Sequence, residues 1–178
     1  MLEEAAGELF LERGYATTSV ADITQRAGVS RSTFFNYFPA KSDLLWAAFD
    51  ERVDALRASL AGAGTDATPG AVVEAALRDL AARLPADHVA LAFTQADTMG
   101  LGDDLRLAAA RRTADLGAAM SGYAAGRGVD PLHARVAGTA WAGALVAAVE
   151  AWALAGADRT RLPDLLDEAL TSVRGALG

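Results

Sequence analysis

The residues from Ser19 to Phe38, SVADITQRAGVSRSTFFNYF, place two helix starts around one helix stop, and few folds satisfy that spacing. The Ser19 hydroxyl can cap a helix whose third position is Asp22, a capping-box-like pair with Asp in the usual Glu or Gln place. Val20, Ile23 and Ala27 give that helix an apolar face, and Gly28 ends it. Ser30 is placed to cap the next helix, which runs to about Tyr37. Helix, tight glycine turn and short helix, crossed steeply, make a helix-turn-helix whose second member fits a major groove about 12 Å wide.

Charge supports this reading. The chain carries 16 Lys+Arg against 23 Asp+Glu, a net charge of -7, yet between Ile23 and Lys41 the ionised groups are Arg26, Arg31 and Lys41. A local basic window on an acidic chain fits docking on nucleic acid through one small surface. In the second helix Phe34 and Phe38 should turn inward with Val29 and Ile23. Arg31, Ser32, Thr33, Phe35, Asn36 and Tyr37 take the accessible or flanking positions. Arg31 can reach guanine edges or a phosphate, Ser32 and Thr33 lie near backbone N–H groups that favour phosphate, and Lys41 can clamp the backbone from beyond Pro39. A solvated arginine with ordinary caps, and Phe35 and Tyr37 as core aromatics, are the alternatives.

Elsewhere the periodicity is helical almost throughout, with no alternating run of strand length, so the fold should be all-α. Leu2, Ala5, Ala6, Leu9 and Phe10 form a first helix stopped at Gly14. A long helix from Lys41 to about Leu60 carries Leu44, Leu45, Ala48, Phe49, Val53 and Leu56 on one face. The Gly/Pro-rich stretch from Ala61 to Gly70 is a loop or boundary, and its GAG lacks the strand and spacing of a phosphate loop. Further helices are predicted near 71–84, 86–98, 103–125, 131–156 and 163–177. The division is a DNA-binding unit over 1–45 and a larger helical unit over 46–178.

Cysteine is absent, which excludes disulfides, thiol nucleophiles and Cys-ligated metals. Residues 1–10 lack a secretory signal, and the apolar run from Val136 reaches only Val149 before Glu150, short of a bilayer span of roughly 20 residues. A cytoplasmic protein with no membrane association is expected.

From Leu9 to Leu45, LFLERGYATTSVADITQRAGVSRSTFFNYFPAKSDLL, the chain resembles the TetR family of one-component transcriptional regulators. The resemblance implies three short N-terminal helices, a long connecting helix, and an all-helical ligand-binding and dimerisation domain. It maps DNA contacts onto Thr18, Arg31, Ser32, Thr33, Phe35, Tyr37 and Lys41. Phe35 departs from the tyrosine common there, so its ring has no hydroxyl for phosphate but can pack on sugar or a thymine methyl. The chain also begins almost inside its first helix, without the basic arm many relatives carry.

In the larger unit, Gly138, Ala142, Leu145, Val149 and Trp152 repeat at four-three spacing, as do Leu162, Leu165, Leu166, Ala169, Leu170, Val173 and Leu177 in the last helix. Two such seams suit a four-helix interface across a two-fold axis, with intrachain packing as the alternative. Phe93, Gln95, Met99, Met120, Tyr123 and Trp141, with His88 and Thr94, are candidates to line a pocket for an apolar or amphipathic effector. His88 and His133 are too few for a metal site, and no cofactor is expected. A Ser-x-x-Lys pair, a convincing triad and a nucleotide loop are all missing, and Asp103–Asp104 fit a solvated helix start, so an enzyme is not expected. The combined expectation is a homodimeric repressor on palindromic operator DNA, released by a small molecule. A DNA-binding module without effector control is the alternative.

Overall fold

In a computed structural model that describes residues 1–85, 102–156 and 159–177, the described residues form eight α-helices and one 3-10 turn. Among these residues there is no strand, and the fold is all-α. Helix α1 (Leu2–Arg13) turns Ala5, Ala6, Leu9 and Phe10 inward and ends at Gly14. Helix α2 (Val20–Ala27) opens on the anticipated box: the Asp22 N–H donates to the Ser19 hydroxyl at 3.2 Å, and the Ser19 N–H donates to the Asp22 carboxylate at 2.8 Å. Gly28 closes it in the left-handed region, φ 68°, where a side chain would be strained. Helix α3 (Arg31–Tyr37) starts from Ser30, whose hydroxyl accepts the Thr33 N–H at 3.0 Å.

Beyond Pro39 the sequence predicts one continuous helix, and the structure divides it. Lys41–Trp46 is a 3-10 turn, capped by the Asp43 carboxylate accepting the Ala40 N–H at 3.0 Å, and α4 follows as Ala47–Gly62. Leu44, Leu45 and Trp46 are all buried. Three consecutive buried side chains point in three directions, which suits a segment with neighbours on several sides better than one stripe of an α-helix.

Helices α5 (Pro69–Arg83), α6 (Gly102–Gly126), α7 (Pro131–Ala155) and α8 (Leu162–Leu177) build the larger unit. The predicted 86–98 helix lies outside the described residues. Helix α8 is tied to α5 through Glu74, which takes Arg174 at 2.9 and 3.0 Å, while Arg78 reaches Asp167 at 2.7 Å. Helices α6 and α7 cross at Gly138. A Cβ there would stand 2.6 Å from the Gly117 carbonyl oxygen and 2.8 Å from the Ser121 nitrogen.

The two seams read as a subunit interface are placed differently. Gly138, Ala142, Leu145, Val149 and Trp152 of α7, and Leu162, Leu166 and Leu170 of α8, are buried within the single chain. Leu165, Ala169 and Val173 are half-buried against the same core, and the Leu177 side chain lies outside the described residues. Four-three spacing identifies a face that packs on helices, and here the chain supplies those helices itself. Helix α7 is apolar on its other side too, with Leu132, Val136 and Leu154 exposed. By length and composition alone, with a mean hydropathy of 1.3, α7 is apolar enough to cross a bilayer, but half of its most apolar stretch is buried inside the bundle, as in a core helix.

Candidate nucleic-acid interface

Helix α3 sorts its seven side chains sharply. Phe34 is wholly buried, edge-on to Phe35 at 5.2 Å and tilted against Phe38 at 5.7 Å. Arg31, Ser32, Phe35, Asn36 and Tyr37 are exposed, and Thr33 is half-buried. The Ser30 hydroxyl lies 2.7 Å from that of Ser32 and 2.8 Å from that of Thr33, forming a hydroxyl cluster over the first turn. Arg31 is the cation of the basic window left without an ion-pair or hydrogen-bond partner among the described residues.

The other two cations are engaged. Arg26 donates to Glu8 at 2.8 Å and to both oxygens of Glu12 at 3.0 and 2.8 Å. The hydrogen bonds to Glu12 and then Glu8 raise the guanidinium pKa further, and in return Arg26 holds the Glu12 carboxyl below its ordinary value. Lys41 donates to the Tyr15 and Thr18 carbonyls, each at 2.8 Å, with its ammonium 3.8 Å from the centre of the Tyr15 ring. Burial draws its pKa down. The sequence offered Lys41 as a backbone clamp; its ammonium is instead a strut locking the α1–α2 corner. Thr18 is also internal, 1% exposed, with its hydroxyl donating to the Gly14 carbonyl at 2.8 Å. Net charge in a window is legible from sequence, but partners 14 to 26 residues distant are not.

A residue absent from the sequence reading joins this unit to the rest. Arg112 of α6 grips Asp50 of α4 with two hydrogen bonds, 2.7 and 2.5 Å, lies 3.6 Å from Asp43, and stacks 4.7 Å above the Trp46 ring. The partners are 62 residues apart, so no local pattern announces them.

Of the proposed effector contacts, His88, Phe93, Thr94, Gln95 and Met99 lie outside the described residues. Met120 is fully buried, and Trp141 is buried beside Gly70. Tyr123 is half-buried, its hydroxyl accepting from Arg127 at 3.0 Å. A cleft of about 330 Å³ opens between α4 and α5, walled by Leu56, Val72, Ala76 and Leu80 and edged by Arg52, Asp79 and Arg83. A charged hollow of about 340 Å³ lies between Asp54, Arg57, Arg111 and Asp115, and a groove of about 510 Å³ runs along the small residues of α6 beside Arg135 and Thr139. Met120, Tyr123 and Trp141 line none of these three.

Residues 2–48, which contain all of this interface, match the family model described as bacterial regulatory proteins, tetR family. Over these residues the chain carries the DNA-binding region of that family. The chain is 38% identical over 52 residues to the HTH-type transcriptional activator FasR of Mycolicibacterium smegmatis, a match covering 29% of the chain and 24% of FasR. It is 40% identical over 45 residues to an uncharacterized HTH-type transcriptional regulator, YuxN, of Bacillus subtilis, covering 25% of the chain and 16% of YuxN. The matches thus span about a quarter or less of either relative. Thermus thermophilus FadR, a TetR-family transcriptional repressor solved with lauroyl-CoA, superposes with a TM-score of 0.61 at 27% identity, over 96% of this chain and 90% of that one.

Proposed function

We propose that this TetR-family protein is a ligand-responsive transcriptional repressor that binds a palindromic operator as a homodimer in the cytoplasm. Residues 1–45 serve as its DNA-binding domain, and residues 46–178 bind the effector and the second subunit. The observation that carries the reading is the exposed arc of α3, where Arg31, Ser32, Phe35 and Asn36 stand clear of the core while Phe34 anchors the helix from behind. Capped helices on either side of Gly28 hold that arc outward. Base-edge readout needs such side chains on a rigid support.

A second copy is called for because a two-fold operator matches a two-fold protein. The outward side of α7, with Leu132, Val136 and Leu154 exposed, replaces the buried seam as the surface for it. For the effector, the lauroyl-CoA bound by the Thermus neighbour supports an amphipathic acyl compound over a purely apolar one. The α4–α5 cleft, apolar walls edged by arginines, has chemistry of that kind.

The test begins with duplexes selected by the wild-type chain from a random library. Arg31→Ala is expected to lose about 2 kcal/mol of discrimination at one position of each half-site. Binding to the selected duplex should weaken only gently with salt, because few free cations face the phosphates. Sedimentation of the wild type should give twice 18.4 kDa, and lauroyl-CoA should release the duplex. An Arg31→Ala protein with unchanged discrimination, or a strictly monomeric wild type, would defeat the corresponding part.

A further inference from the structure

Phe35 is an all-carbon ring left 47% exposed on a helix that otherwise hides its phenylalanine well, Phe34 being fully buried. Its ring is held rather than loose: it meets Phe34 edge-on, with an interplanar angle of 82°. At about 100° per residue, Phe35 projects between Arg31 and Ser32, in the middle of the exposed arc of α3. Tyr37 projects on the far side of Phe34, toward the rim. A side chain at the centre of a groove-facing arc meets base edges, whereas one at the rim meets sugar and phosphate.

A phenyl ring neither donates nor accepts a conventional hydrogen bond, so it cannot read the donor and acceptor pattern of a base pair. The apolar group that pattern offers in the major groove is the thymine 5-methyl. We propose that Phe35 is a specificity-determining residue that seats against a thymine 5-methyl in each operator half-site, close to the base pair contacted by Arg31. The two residues are four apart on one face, about 6 Å along the helix axis, so the contacted bases fall within about two base steps. This rests on the DNA-binding reading above and adds which chemical group that surface distinguishes.

The experiment replaces each thymine of a library-selected duplex in turn by deoxyuridine, which removes only the methyl group. One thymine per half-site should respond. The wild type should bind about four-fold more weakly per half-site, and about fifteen-fold when both are exchanged, as burial of one methyl predicts. Phe35→Ala should be indifferent to the same exchange, and Phe35→Leu should keep part of the response. Circular dichroism of both variants checks that α3 still forms. At the responsive step, 5-methylcytosine should bind better than cytosine to the wild type only. If Phe35→Ala weakens binding while every deoxyuridine exchange costs it as much as the wild type, the ring packs on sugar and the proposal is wrong. A duplex selected normally but blind to all exchanges also overturns it while leaving the DNA-binding reading intact. A library that returns no preferred duplex removes that reading and the proposal together.

Discussion

Phe34→Ala is expected to destabilise the N-terminal unit severely. Phe34 has no exposed surface and sits where α3 meets the core, between the Phe35 and Phe38 rings. Truncating a buried phenylalanine costs about 3–5 kcal/mol, from lost transfer energy and the cavity left behind. In a chain of this length that lowers the thermal midpoint by roughly 6–20 °C. Far-ultraviolet dichroism on heating measures the shift, and binding to a selected duplex should disappear at temperatures where the wild type still binds. A variant melting within about 2 °C of the parent would show that α3 is held in some other way.

The second large effect is expected at Gly138. In an isolated helix alanine would be preferred there by about 1 kcal/mol. In this protein the added methyl meets the Gly117 carbonyl oxygen at 2.6 Å, the Ser121 nitrogen at 2.8 Å, and the Ser121 hydroxyl. The hydroxyl can swing aside, but the two backbone atoms move only with α6. Overpacking of this kind sits at the upper end of the usual range, about 3 kcal/mol, so after the gain in helix propensity Gly138→Ala should lose about 2 kcal/mol net. Adding Ser121→Ala should recover little, because the backbone contacts persist. Denaturant titration of the single and double variants decides it, and full recovery in the double variant would assign the conflict to the side chain alone.

The helix-turn-helix was legible because its signals are local. Ser19, Asp22, Gly28 and Ser30 state where helices begin and end through hydrogen bonds reaching three residues, and the structure forms those bonds. The placement of α5 to α8 was legible to within two residues from the breaks between them, although Pro69, read as part of the loop, opens α5, and the Asp130 carboxylate caps α7 by accepting the N–H groups of Leu132 and His133. What was not legible depends on distant partners. Arg26 and Lys41 read as free cations because Glu8, Glu12 and the Tyr15 and Thr18 carbonyls become neighbours only on folding. The seam on α7 read as a subunit interface because that helix is apolar on opposite sides, and spacing alone does not say which side faces its own chain. The division of the Lys41 helix into a 3-10 turn and α4 has the same origin, since Arg112 and Trp46 meet across the boundary. Of the interface residues, Arg31, Ser32, Phe35 and Tyr37 are accessible as their positions in α3 indicated, while Thr18 is spent on the corner it stabilises.

The grip of Arg112 on Asp50 bears on how many ways the molecule can bend. A hinge needs a segment whose neighbours leave its torsions free, and the passage from Trp46 to Ala47, between the small unit and the large one, would be the natural place for it. Here that passage is fastened on both sides. The Arg112 guanidinium, its side chain only 15% exposed, spans Asp50 just after it and Asp43 just before it, and covers Trp46 itself. Lys41, two residues before Asp43, is anchored in the α1–α2 corner. The joint is therefore braced on both sides of Trp46, so that a displacement of α6 that keeps this ion pair intact pulls on α4 and on the 3-10 turn together.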